Sequence, residues 1–183
     1  MATNTNMVAA GKPKIGGAIS VGATSLTLPT DATTELAQDF ENLGYVSEDG
    51  VTKGITRDSE DIKAWGGDTV MTTQTDYAET YQFSLIETLM VAVKKCVYGD
   101  DNVTGDLTTG ITAKSNSKEL PAHAWVFDMV QNGAVSRIVV PNGKVTEIGD
   151  ITYVDGEPVA YDLTITALPD SSGNCAYEYT VTA

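Results

Sequence analysis

His123 is the single histidine among 183 residues, and most of the acid–base chemistry available near neutral pH rests with it. A Ser-His-Asp triad would need a serine on a tight strand-to-helix turn, and no nucleophile-elbow pattern surrounds any serine. One histidine and two well-separated cysteines, Cys96 and Cys175, do not make a zinc set. Asp100-Asp101-Asn102-Val103-Thr104-Gly105-Asp106 offers the alternating oxygens and central glycine of a calcium loop. The position that should carry a bidentate glutamate is Ile111, however, so the segment reads as a solvated turn. Asp58, Glu60, Asp61 and Asp68 form the densest acidic cluster. Paired carboxylates can hydrolyse glycosides, but Trp65 stands alone beside them, without the aromatic platform of a sugar site. A solvated or pore-facing acidic strand fits better. Glycines are scattered and form no phosphate loop, and the sequon Asn102-Val103-Thr104 carries no meaning without secretion. The sequence therefore predicts no catalytic residue, no metal site and no cofactor.

The elements that carry these residues are mostly strands. Thr-rich, weakly alternating stretches predict strands over 57–65, 69–75 and 77–84, broken at Gly66-Gly67 and near Asp76. Earlier strands are expected around Ala18–Val21 and over 41–46, the latter closed by a turn at Glu48-Asp49-Gly50, with a short helix over 31–40 capped by Thr30 or Asp31. Later strands are expected over 111–114, 123–131, 135–140, 144–153, 158–167 and 177–182. The dipeptides Asn132-Gly133, Asn142-Gly143 and Asp155-Gly156 mark turns between them. One helix is predicted over about 85–98. Ser84 and Glu87 have capping-box spacing, Ile86, Leu89, Met90, Val93 and Val97 make an apolar stripe, Lys94 and Lys95 favour its C-terminus, and Gly99 stops it. The fold class is mainly β: a β-sandwich or barrel with one flanking helix.

The whole-chain numbers agree. At 42% apolar and 20% charged, the chain can bury a core. No apolar run approaches the roughly 20 residues of a membrane helix, and no secretory signal is expected from residues 1–6. Two cysteines are too few for a disulfide framework, so reduced thiols made in a cytoplasm are expected. The net charge of −14, with 25 acidic against 11 basic side chains, argues against binding to a phosphate backbone. Residues 1–30 are predicted to be an extended arm with a basic pair, Lys12 and Lys14, and 31–183 a single domain.

Three stretches carry a family resemblance: Leu28-Pro29-Thr30-Asp31-Ala32-Thr33, continuing through Phe40 to Leu43-Gly44-Tyr45-Val46-Ser47-Glu48-Asp49-Gly50-Val51; Asp61-Ile62-Lys63-Ala64-Trp65-Gly66-Gly67-Asp68; and Phe83 through Thr88 along the helix to Val97-Tyr98-Gly99. In this order they resemble the major tail protein, or tail tube protein, of long non-contractile-tailed bacteriophages. The resemblance covers roughly 15–168. It implies a virion tail subunit, not an enzyme, made in the host cytoplasm and self-assembling into stacked hexameric rings. It further implies an acidic lumen through which DNA passes without specific binding, and partners in the tape measure, tail terminator and baseplate proteins, with no membrane. The extra immunoglobulin-like C-terminal domain of some members is not expected. Lumen-facing candidates are Asp58, Glu60, Asp76, Ala78, Thr80 and Gln82. Candidates for contacts between subunits are Lys12, Lys14, Leu28, Pro29, Tyr45, Val51 and Trp65. The competing reading is a β-sandwich binding module of a cell-surface or secreted protein, which a Cys96–Cys175 disulfide would favour.

Overall fold

Alternation along the chain sets the layers. In Tyr161–Ala167, Tyr161, Leu163, Ile165 and Ala167 are buried while Asp162, Thr164 and Thr166 face out, as a strand with one face on a core requires. The structure is a computed structural model that describes residues 7–182; Met1–Asn6, the first part of the expected arm, and Ala183 lie outside the described residues. The strands are β1 (Gly11–Pro13), β2 (Ile19–Ala23), β3 (Glu41–Asn42), β4 (Val46–Lys63), β5 (Thr69–Leu85), β6 (Val103–Thr104), β7 (Thr112–Ala113), β8 (Ala122–Gln131), β9 (Ala134–Ile148), β10 (Tyr161–Ala167) and β11 (Tyr177–Thr182), with one helix, α1 (Val91–Tyr98). A 9-stranded antiparallel sheet runs β3-β2-β8-β9-β10-β5-β4, β1 extending the edge along β8 and β11 that along β9; β6 and β7 pair separately.

That sheet folds over on itself. Two strands separate β8 from β5 in the order, which in a flat sheet means about 14 Å at ~4.8 Å per step. Yet the Tyr81 and Phe127 rings stack at 5.0 Å, and Phe83 lies 5.7 Å from both Trp125 and Phe127. The two layers so formed enclose Ile19, Leu43, Leu85, Val140 and Ile165, and α1 adds Ala92, Val93, Cys96 and Val97 to the same core. This is the mainly β architecture with one flanking helix that the sequence predicts.

Several boundaries differ, each for a local reason. The helix begins at Val91 rather than near 85, because Ser84 and Leu85 complete β5. No capping box forms: Ser84 Oγ donates to Asp162, and Glu87 Oε1 accepts the Tyr45 amide at 2.9 Å. No helix forms over 31–40. Asp31 does accept the amides of Thr33 (2.7 Å) and Thr34 (2.6 Å) as a cap would, and these bonds, led by the Thr34 hydroxyl, hold its carboxyl far below the usual range. The carbonyls of Asp31 and Thr34, which a helix would use, instead accept Arg137 Nη1 at 3.2 and 2.7 Å. Segment 24–40 thus lies as a flap on the outer face of β2, β8 and β9, with Pro29 and Ala32 buried.

The expected breaks near Glu48-Asp49-Gly50, Asp76 and Asn142-Gly143 are register shifts inside long strands. Pro141, which has no amide to donate, sits in such a shift, between Trp125↔Val140 and His123↔Gly143. Gly143 is required there because a Cβ would lie 2.5 Å from Trp125, whose Nε1 donates to its carbonyl at 3.0 Å. Strand β9 ends at Ile148, so 149–153 is loop rather than strand. The Asn132-Gly133 turn forms as predicted, with positive φ at both residues.

Candidate assembly surface

Strands β4 and β5 continue beyond the body as a two-stranded ribbon whose turn is closed by Ala64 N to Asp68 O at 2.8 Å. From about Thr56 outward both of its faces are exposed. A lone two-stranded ribbon is marginal in water, so its root matters. There the buried carboxylate of Glu79 accepts the hydroxyls of Tyr81 (2.5 Å) and Tyr77 (2.7 Å) and pairs with Lys53 at 3.0 Å. Burial pulls its pKa up, but the bonds from Tyr81, Tyr77 and Lys53 outweigh this and leave it below the ordinary glutamate value. The Arg57 guanidinium lies 4.5 Å from the Tyr77 ring centroid.

The opposite face brings together all the lumen-facing candidates. Asp58 pairs with Asp76, Thr56 with Ala78, Gly54 with Thr80 and Thr52 with Gln82, and Glu60 follows on the same face opposite Thr73. The face continues across the body through Gln82↔Thr164 and Thr80↔Thr166 to Glu147 and Lys144 on β9. Thr146 Oγ1 lies 3.0 Å from Thr166 Oγ1. From Thr52 to Glu147 the body part of this wall is hydroxyl, amide, small side chain and carboxylate, with Lys144 as its cation and without a large apolar group.

The seven candidates for subunit contacts separate. Trp65 is fully exposed at the ribbon turn and Tyr45 is exposed at 73%. Lys12 sits on β1 opposite Val130 and is exposed. Lys14 is tied to Asp128 at 3.3 Å, Pro29 is a buried residue of the flap, Leu28 is half-buried and Val51 packs against the core. Alternation alone did not single out Ile55, Ile62, Val70 and Met71, exposed apolar side chains of the ribbon. The signal present was their spacing in a stretch with no second apolar strand to cover them. Strand β4 also pairs only with β5 among the described residues, leaving its other edge open.

Of the residues singled out for chemistry, His123, Asp100 and Cys96 meet at one cavity, while Asp58, Glu60, Asp61 and Asp68 lie apart on the ribbon. His123 Nε2 lies 3.1 Å from Asp100 Oδ2 and edge-on to Trp125. Both border a cavity of about 200 Å³ between β2 and α1, together with Cys96, whose thiol burial pushes up to about 12. Both cysteines are free. Among the described residues no group of His, Cys, Asp and Glu could hold a metal ion, and no helix is long and apolar enough to cross a membrane.

Residues 1–181 match the family model for phage tail tube proteins. Among solved structures, the cryo-EM structure of the anti-feeding prophage cap, a tube-terminating cap, is similar over 99% of this chain and 100% of that one, at 11% identity and a TM-score of 0.49. No curated protein matches the chain significantly.

Proposed function

The chain belongs to the phage tail tube protein family and is a structural component of the virion tail, and on that premise we propose that its copies form stacked hexameric rings around a channel that conducts DNA. The outer face shared by β4, β5, β10 and β9 lines the channel. The open edge of β4 and the exposed ribbon engage neighbouring copies, so that backbone donors and acceptors left free in one subunit are paired in the ring. Tape measure, tail terminator and baseplate proteins are its partners, and assembly takes place in the host cytoplasm.

The observation that carries this reading is the composition of that face. Threonine, glutamine, alanine and glycine give DNA nothing large to catch on, and Asp58, Glu60, Asp76, Glu147 and Asp162 repel a polyanion. A wall of lysine and arginine would hold phosphates by releasing their counterions. Negative-stain microscopy of the concentrated protein is expected to show rings or tubes of uniform diameter. In those tubes an Ala78→Cys subunit reacts with a small maleimide but not with a bulky one. Equal labelling by both reagents in intact tubes would place this face outside and end the assignment.

A further inference from the structure

Among the described strand residues of the acidic face, Lys144 is the one cation. It lies on β9 between Ala122 of β8 and Thr166 of β10, two residues from Thr146. On a wall that otherwise repels phosphate, a free ammonium repeated in every subunit would be a regular set of catching points. The lysine is not free. The loop between β7 and β8 carries Glu119 across to it, and Lys144 Nζ donates to Glu119 Oε1. Glu119 itself is 81% exposed and Lys144 28% exposed at the side chain, so the pair sits at the surface, where such contacts add little to stability.

We propose that Glu119 is a charge mask: it neutralises Lys144 so that DNA in the channel meets no accessible cation on the strands of this wall. The inference rests on the channel reading above. Two features of the pair favour masking over tethering. The carboxylate approaches from a loop rather than from the wall, so it can cover the ammonium from the side that faces solvent. It also stays ionised, because the hydrogen bond from Lys144 holds its pKa below the ordinary glutamate range. The partner recognised, or in this case refused, is a phosphodiester backbone of any sequence.

The test uses assembled tubes and a fluorescent single-stranded oligonucleotide. Wild-type tubes are expected to retain little of it. Glu119→Gln tubes retain severalfold more at ~50 mM salt, and the excess disappears by ~200 mM, as a counterion-release contact requires. Glu119→Gln combined with Lys144→Ala returns to the wild-type level, which loss of a merely structural tether would not do. Should the double variant keep the excess, or the single variant show none, masking by Glu119 is wrong. The Ala78→Cys labelling in the same tubes separates the two ideas: bulky-reagent labelling overturns the channel wall, whereas a shielded cysteine with no oligonucleotide effect overturns only the mask. Because Glu119 is exposed, both Glu119→Gln and Glu119→Ala are expected to assemble normally, and either serves.

Discussion

Arg137 is among the largest side chains wholly removed from solvent, and every polar atom of its guanidinium has work to do. Nε and Nη2 grip Asp128 at 2.6 and 3.0 Å, while Nη1 holds the flap carbonyls. Substituting Arg137→Met leaves Asp128 buried with only Lys14 beside it, and loss of about 3–5 kcal/mol is expected by urea unfolding. Adding Asp128→Leu to that variant should recover part of the loss, since no buried charge then remains unpaired. Glu79 carries a pH dependence whose sign is fixed by its lowered pKa. Its contribution is present above about pH 4.5, the ordinary value, and is lost as pH falls through the lower folded value. Unfolding midpoints measured between about pH 6 and pH 3 should therefore drop less in Glu79→Gln than in wild type. Neither role was legible in the sequence. Arg137 sits between Ser136 and Ile138 in a run that reads as one face out and one face in, and nothing local announces that the flap, more than a hundred residues earlier, covers the outer face.

At the scale of elements, the sequence was informative where a strand meets one core. The strand expected over 177–182 forms with those bounds, the one expected over 158–167 starts only at Tyr161, and Asn132-Gly133 has the turn chemistry a two-residue hairpin needs. It misled where a strand bends. Asn142-Gly143 has turn composition, yet the glycine serves Trp125 and the strand runs on. The capping-box spacing of Ser84 and Glu87 was likewise real but taken up by Asp162 and Tyr45. The ribbon was legible as two strands around Gly66-Gly67 but not as a projection, because alternation is silent about whether a second layer exists to bury it. Its turn offers a direct readout of assembly. Of the two tryptophans, Trp125 is buried and Trp65 exposed, so a blue shift of emission on tube formation reports Trp65. Trp65→Ala should abolish the shift, leave subunit stability within ~0.5 kcal/mol, and raise the assembly threshold on the order of tenfold.

For the whole molecule, the net charge of −14 opposes the association that the surface favours. Like-charged subunits repel over a Debye length of about 30 Å at 0.01 M salt but only about 8 Å at 0.15 M. The concentration needed for tube formation should accordingly fall as salt rises through that range, measured by sedimentation. A threshold that rises instead would mean attractive ion pairs dominate the contacts. The charge could be read from composition alone. The folding-over of the sheet could not, since it depends on Tyr81 and Phe83 meeting Phe127 and Trp125 across strands that are not sequence neighbours.

The bare two-stranded ribbon has one more consequence. A segment that finds support only among its neighbours is perishable while it waits, since its backbone is the easiest part of the chain for a protease to thread. On the proposed assembly, incorporation is itself the protective step, and limited proteolysis is expected to cut the ribbon faster in free subunits than in tubes.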